Sequence, residues 1–411
     1  MQFFLFKSIQ RSLPLQRFKI THKMEEIAKI KNTKPQIFKI GVYSLGHLVN
    51  DLYMNQIQVL IPFWIIGGLS AAQGGFLVAI FTISSSLVQP LFGHLADRKS
   101  YQWLIYCGTA WMAVLLSFMG LTRNYIILFI IAMLAGLGTA AFHPQASTMV
   151  AKHSGNRKSF SQAIFIAMGN VGWALTPLFF VPLVSKFGMK ISPFFAIPGL
   201  FISFLFWIIS RNQTFAENKK RISQPAWPAI KENSRELTNI LLIIALRSLA
   251  YAGLIAYLPL YLKGHGISLV ESSRMISLML FTGSIGGLIG GFMADKYGRK
   301  PILVISLALT TPLYALFLIT HGWISIAFLA IAGAFLLSTF SITVTAAQKI
   351  ISHNTGLASG LTLGLGQGIG GLGVGLIGLL ADHVGFSIAI YCLCVLPLIA
   401  SLFGLNLKKI D

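Results

Sequence analysis

The stretch GHLADRKS, residues 93–100, returns in altered form as GFMADKYGRKP, residues 291–301. In each, a glycine leads to an Asp followed by a basic residue, between two apolar runs. A second pair of matches keeps nearly the same offset. LIPFWI (60–65) closes one apolar run and YLPLYL (257–262) closes another. The chain therefore reads as two related halves, and the loops mark where each half turns at the same face.

Working outward from the loops, the apolar runs approach the roughly 20 residues that cross a bilayer as helix. They fall at about 37–64, 71–93, 102–121, 124–150, 160–184 and 190–210, then at 237–262, 268–292, 301–320, 322–346, 357–381 and 384–407. These are numbered spans 1 to 12. Lipid admits only helices or closed barrels, and barrel strands would be far shorter. The expected fold is all-α, with twelve transmembrane helices in two pseudo-symmetric six-helix halves. A basic tail (1–36), an N-terminal half (37–210), a polar linker (211–236) and a C-terminal half (237–411) complete the layout. Residues 1–23 lack the apolar core and cleavage site of a signal peptide, and Met24 is a second candidate start.

Composition agrees. Hydrophobic residues make up 55% and charged residues 10%, against about 25% charged in soluble domains. The net charge of +21 suggests nucleic acid at first sight, but the basic residues form no groove interleaved with aromatics. About 26 of the 32 Lys and Arg fall on the face that carries the tail, the linker and the two quoted loops. The positive-inside rule makes that face cytoplasmic, with both termini. Cys107, Cys392 and Cys394 all lie in spans and imply no disulfide framework.

Inside the spans, polar residues are few and patterned. In HLVNDLYMNQIQ (47–58), His47, Asn50, Asp51, Asn55 and Gln58 fall within an arc of about 140° at 100° per residue. Such a stripe faces the bundle or a watery cavity. Gln56 lies off it, which suggests a hydrogen bond to a neighbouring helix. Asn55 and Gln58 fit either interhelical hydrogen bonding or a cavity lining. Asp51 is the one acid placed deep in a span, where a charge costs at least about 2.5–3.5 kcal/mol. It must be paired or protonated, as a proton-coupling site requires. Arg247, in span 7, is the one base placed deep in a span, and the repeat offset sets it against Asn50. It either pairs with Asp51 or binds an anionic substrate, because guanidinium matches carboxylate and phosphonate geometry. His143 precedes Pro144, which is expected to interrupt span 4; histidine titrates near neutrality, so His143 joins Asp51 and His47 as a proton-coupling candidate. His47, one turn before Asp51, can act on it directly. Sequence shows no third ligand beside them, so no metal site is assigned. Gly356, Gly360, Gly364 and Gly368 in span 11, and Gly283, Gly287 and Gly291 in span 8, read as close-packing faces.

The G-x-x-x-D-[RK] loops resemble the loop motif of the major facilitator superfamily. Gly291, Asp295 and Arg299 match it closely. Gly93, Asp97 and Arg98 match its start, but the following Gly-Arg is missing. GHLVND (46–51), AFHPQAS (141–147), GNVGWALTP (169–177) and LRSLAYAGLIAYLPLYL (246–262) are similar to the fosmidomycin resistance protein family. The resemblance covers about 37–407 and implies a proton-coupled efflux carrier of the bacterial inner membrane. It further implies that Asp97 latches to span 11 and Asp295 to span 5. Tyr251, Asn170 and Gln367 join Asn50, Asn55, Gln58 and Arg247 as candidates for substrate contact.

Six-helix repeats place a binding site at the midplane between the halves. No phosphate-binding G-x-x-x-x-G-K-[ST] argues for an ATP-driven pump, and no serine elbow or H-E-x-x-H argues for a hydrolase. The expected protein is thus a secondary transporter rather than an enzyme, monomeric and without cofactor. Its partners are a small-molecule substrate, protons and lipid, with no nucleic acid. Export and uptake of an organic anion stay open, as does a non-transporting sensor on the same fold.

Overall fold

The computed structural model describes residues 35–89, 91–92, 103–155, 157–210, 226–351, 358, 360–408 and 410. Ten described helices are each long and apolar enough to cross a membrane. Span 2, Ala71–Leu87, is shorter at 17 residues. Span 1 is two helices, Ile37–Met54 and Gln56–Ile66, broken at Asn55. The all-helical twelve-span expectation holds among the described residues. Residues 1–34, most of the linker, and Gly93, Asp97, Arg98 and Gly356 lie outside them.

Two details differ from the sequence reading. Span 4 runs unbroken from Tyr125 to His153 with Pro144 inside it. A proline removes one ladder hydrogen bond, and membrane helices tolerate that loss. The irregularity falls instead at Asn55, where φ is −92° and ψ is −5°, and in a π-helical turn at Gly360–Gly366 that opens span 11.

Packing repeats between halves. Span 1 packs on span 5 as span 7 packs on span 11. Span 3 lies on spans 4 and 6 as span 9 lies on spans 10 and 12. The halves meet along two seams related by the same exchange, span 2 against span 11 and span 8 against span 5. Small residues set the approach on the first seam. A Cβ on Gly371 would lie 2.8 Å from Thr82, and one on Gly375 would lie 2.6 Å from Phe76. Of the expected stripe, Gly364 would place a Cβ 3.1 Å from the Ser86 carbonyl, and Gly368 meets nothing within 4 Å.

The face opposite the basic loops is stapled across the halves. Asp382, at the end of span 11, accepts the Ala71 N–H at 2.8 Å and the Ala72 N–H at 2.9 Å. These are orphan amides at the start of span 2, where the helix dipole favours an anion. Tyr257 Oη lies 3.0 Å from the carbonyls of both Ala71 and Val374.

Candidate functional site

The polar stripe of span 1 divides into two sites. The upstream part is knitted into its own half. Asp51 is buried, with Oδ1 3.0 Å from His143 Nε2 and Oδ2 3.3 Å from His47 Nε2. Each imidazole is anchored behind. His47 Nδ1 lies 2.6 Å from the Phe165 carbonyl, and its ring stacks on Phe165 at 4.0 Å. His143 Nδ1 lies 3.1 Å from the Thr139 carbonyl and 3.0 Å from the Thr139 hydroxyl. That hydroxyl donates to Asn50 Oδ1 at 2.7 Å. Spans 1, 4 and 5 thus converge on one carboxylate. Gly169 allows the approach, because a Cβ there would lie 2.6 Å from Asp51 Oδ2.

His143, a proton-coupling candidate from sequence, is brought by span 4 beside His47 and Asp51. The three offer donor atoms within 4.8 Å of one another. Asp51 nevertheless spends one oxygen on each imidazole. Two hydrogen bonds explain that pattern more directly than a single ion drawing both rings to one point, so no metal is assigned.

The downstream part opens on a cavity between the halves. Asn55, Gln58, Arg247, Tyr251 and Gln367 line it, together with Trp173, Phe340, Ser85 and Ser86. Asn55 Nδ2 donates to the Trp173 carbonyl at 3.4 Å. Arg247 is only 3% exposed. Its guanidinium stands 4.9 Å over the Phe340 ring, and it makes no ion pair among the described residues. Its Nη1, the Tyr251 hydroxyl, Trp173 Nε1 and Gln58 Oε1 are buried without a hydrogen-bond partner. Three donors and one acceptor around one cavity make a site lacking its complement.

These positions decide several expectations. The pairing of Arg247 with Asp51 is not made, because the two histidines already occupy both carboxylate oxygens. Asn50 is fully buried and bonded to Thr139 instead of lining the cavity, so it supports His143 rather than meeting substrate. Asn170 is half-buried and is not among the lining residues. Gln56 does reach a neighbouring helix, donating to the Leu116 carbonyl of span 3 at 3.1 Å. At the basic face, Asp295 is exposed, and no partner for it lies among the described residues. Gly291 sits where a Cβ would lie 3.2 Å from Ser341 Oγ, and Arg299 donates to the Ile410 carbonyl at 3.0 Å. Trp173 and Phe340 were missed. An aromatic in an apolar span carries no signal of its own, and only the fold shows which ones face the cavity.

Comparison with known proteins adds an independent line. The family model described as Major Facilitator Superfamily matches residues 43–372 and 274–410. The fosmidomycin resistance protein of Escherichia coli (strain K12) is 30% identical over 373 residues, spanning 88% of this chain and 91% of that protein. A Bacillus subtilis (strain 168) protein described as the uncharacterized MFS-type transporter YfnC is 26% identical over 377 residues, 88% of this chain and 90% of its own. A solved bacterial homologue of the human lysosomal transporter Spinster matches with a TM-score of 0.72 at 17% identity. That match covers 92% of this chain and 98% of the homologue, a likeness of fold.

Proposed function

The chain belongs to the major facilitator superfamily and is a multi-pass secondary transporter of a small molecule, and from that premise we propose that it is a proton-coupled exporter of small organic anions. The observation that carries the proposal is the division of labour around span 1. A buried carboxylate held by two histidines lies in one half, and a buried, unpaired guanidinium lies in the cavity between the halves. A cation left unpaired in low dielectric is costly unless a partner arrives. Arg247 offers a planar fork for a carboxylate, phosphate or phosphonate. Tyr251 and Trp173 add neutral donors, and Phe340 gives the guanidinium a cation–π floor. The name of the Escherichia coli relative points to a phosphonate drug as the first compound to try.

Asp51, His47 and His143 are the coupling group. Tyr251 links the two sites, since its hydroxyl is within Coulombic reach of both Asp51 and Arg247. Protons enter and leave the cluster as the halves rock about the cavity. Asp382 and Tyr257 close one face, and the loop motifs, including Gly93, Asp97 and Arg98, close the other. The basic face is cytoplasmic, the membrane is a bacterial inner membrane, and the working unit is a single chain without enzymatic activity.

The test is transport in proteoliposomes under an imposed pH gradient, with fosmidomycin and a panel of organic anions, cations and neutral compounds. Substrate movement driven by the gradient, selective for anions and lost in Asp51→Asn, is the expected result. Gradient-driven transport that survives in Asp51→Asn would remove the coupling assignment. Selectivity for cations would remove the substrate class.

A further inference from the structure

The hydrogen-bond geometry around Asp51 fixes more than the identity of the coupling group. A backbone carbonyl only accepts hydrogen bonds. His47 Nδ1, at 2.6 Å from the Phe165 carbonyl, therefore carries a hydrogen. His143 Nδ1, at 3.1 Å from the Thr139 carbonyl, carries one for the same reason. Unless a further proton is present, each Nε2 is then a bare lone pair. Yet the two Nε2 atoms lie 3.3 and 3.0 Å from different oxygens of one carboxylate. A lone pair against a carboxylate oxygen at that distance is repulsive. Each contact becomes attractive only with a hydrogen between its two atoms.

We propose that the cluster of Asp51, His47 and His143 holds two shared protons in this conformation and exchanges them as a unit. The inference rests on the coupling role proposed above and gives it a stoichiometry of two protons per cycle. The count does not depend on where each proton resides. The one between His143 and Asp51 sits on either atom, and so does the one between His47 and Asp51. Both tautomers require the same two.

Charge follows directly. The loaded cluster is one carboxylate, two imidazoles and two protons, with a net single positive charge. Losing both protons leaves a net single negative charge. Among the described residues, the titratable or charged groups around Asp51 are His47 on span 1 and His143 on span 4, which touch it, and Tyr251 on span 7, which interacts electrostatically with both Asp51 and Arg247. Span 5 contributes the Phe165 carbonyl and Gly169, neither of which titrates. Nothing else nearby supplies a compensating proton.

Release is unitary because the intermediate is strained. Losing either proton leaves one oxygen facing a lone pair at about 3 Å, and relieving that contact moves span 4 with His143 off span 1, or swings His47 away and breaks its bond to the Phe165 carbonyl of span 5. The parting lets water reach the second proton. Simple Coulomb repulsion between two bound protons would spread the two losses over separate pH ranges. A single steep loss is therefore the signature of the opening.

The experiment is nitrogen NMR of the full-length protein in lipid nanodiscs, with histidine labelled selectively. His47→Gln and His143→Gln assign the two rings among the nine histidines. The Nδ1 atoms of both rings should stay protonated throughout. Both Nε2 signals should follow one curve with a Hill slope near two. Such a curve runs from one-tenth to nine-tenths loaded over about a nine-fold change in proton concentration, against about 81-fold for independent sites. In His143→Gln the amide replaces one proton permanently, and His47 should titrate alone with a slope of one. Two separate curves in the wild type, or an Nδ1 that lacks its hydrogen, would overturn the proposal. The measurement needs no substrate. A unitary titration in a protein that shows no gradient-driven transport would sink the coupling role and leave the paired protons standing.

Discussion

Spans 1 and 7 occupy equivalent places in the two halves, yet their polar residues have opposite fates. Asp51 has a partner for each oxygen, and each partner is anchored by a backbone carbonyl. Arg247 has an aromatic face beneath it and nothing to bond its Nη1. The first site is complete within the protein, and the second is complete only with something the protein does not supply. At equivalent places in the repeat, one half carries a carboxylate with partners on both oxygens and the other a guanidinium nitrogen with none.

The sharpest way to break this contrast is at Asp51. Asp51→Asn keeps the size and most hydrogen-bonding capacity of the side chain and removes the titrating carboxylate. Gradient-driven transport should fall by about 100-fold or more, the scale of losing a proton-transferring group. Gradient-independent exchange of labelled substrate should persist, and comparing the two rates in one set of vesicles checks it. A parallel loss of both would mean that the variant had lost its fold or its substrate site.

Arg247 should respond differently. Arg247→Gln should weaken anionic substrates by about 10- to 100-fold, since hydrogen bonds to a charged group contribute about 1.5–3 kcal/mol. Neutral compounds should be affected far less. Arg247→Lys should fall between, because it keeps the charge and loses the planar fork. Binding isotherms for matched anionic and neutral probes separate these cases. The substrate-free protein should also melt at a higher temperature with Gln or Leu at 247, because an uncompensated buried cation is removed. Asp51→Asn should show no such gain. A destabilised Arg247→Leu would show that the guanidinium has a structural partner after all.

The staple at the far face gives a smaller effect. Asp382→Asn retains one acceptor and removes the charge that the span 2 N-terminus favours. A loss of about 1.4 kcal/mol there would shift the balance between conformations about tenfold toward the far-side-open state. Accessibility of a cysteine introduced at Ser70 to a membrane-impermeant thiol reagent would report the change. Unaltered labelling would mean that the glycine-packed seam alone holds that face shut.

Much of this arrangement was legible before any coordinates. The repeated loops fixed the halves, the hydropathy fixed the spans, and helical periodicity put His47, Asp51, Asn55 and Gln58 on one face. Three things were not legible, each for a physical reason. Periodicity within one helix says nothing of what another helix brings to it, so His143 could be named as a proton-coupling candidate, but its contact with Asp51 appeared only once span 4 was packed. The repeat offset that set Arg247 against Asn50 suggested proximity to Asp51, but an offset cannot show that the carboxylate is already saturated. Asp382 looked like an ordinary helix-end acid because its partners are backbone amides, which carry no mark in sequence.

The smallest effect tests whether polar content alone explains span 1. Gln56 shares the stretch with Asp51 but points away from the stripe, donating to the Leu116 carbonyl at 3.1 Å. Interhelical bonds of this kind contribute about 0.6–2 kcal/mol, so Gln56→Leu should lower thermal stability by an amount within that range or less. Removing the amide leaves the Leu116 carbonyl, in the last turn of its helix, without that bond, but it also removes the unpartnered Gln56 Oε1. The two changes oppose each other. Transport and its proton dependence should be unchanged, measured in the same vesicles as Asp51→Asn. If Gln56→Leu also uncoupled transport from the gradient, the coupling would belong to the rigidity of the broken span at Asn55 rather than to the cluster at Asp51. The contrast between a saturated site and a waiting one would then have to be redrawn around that break.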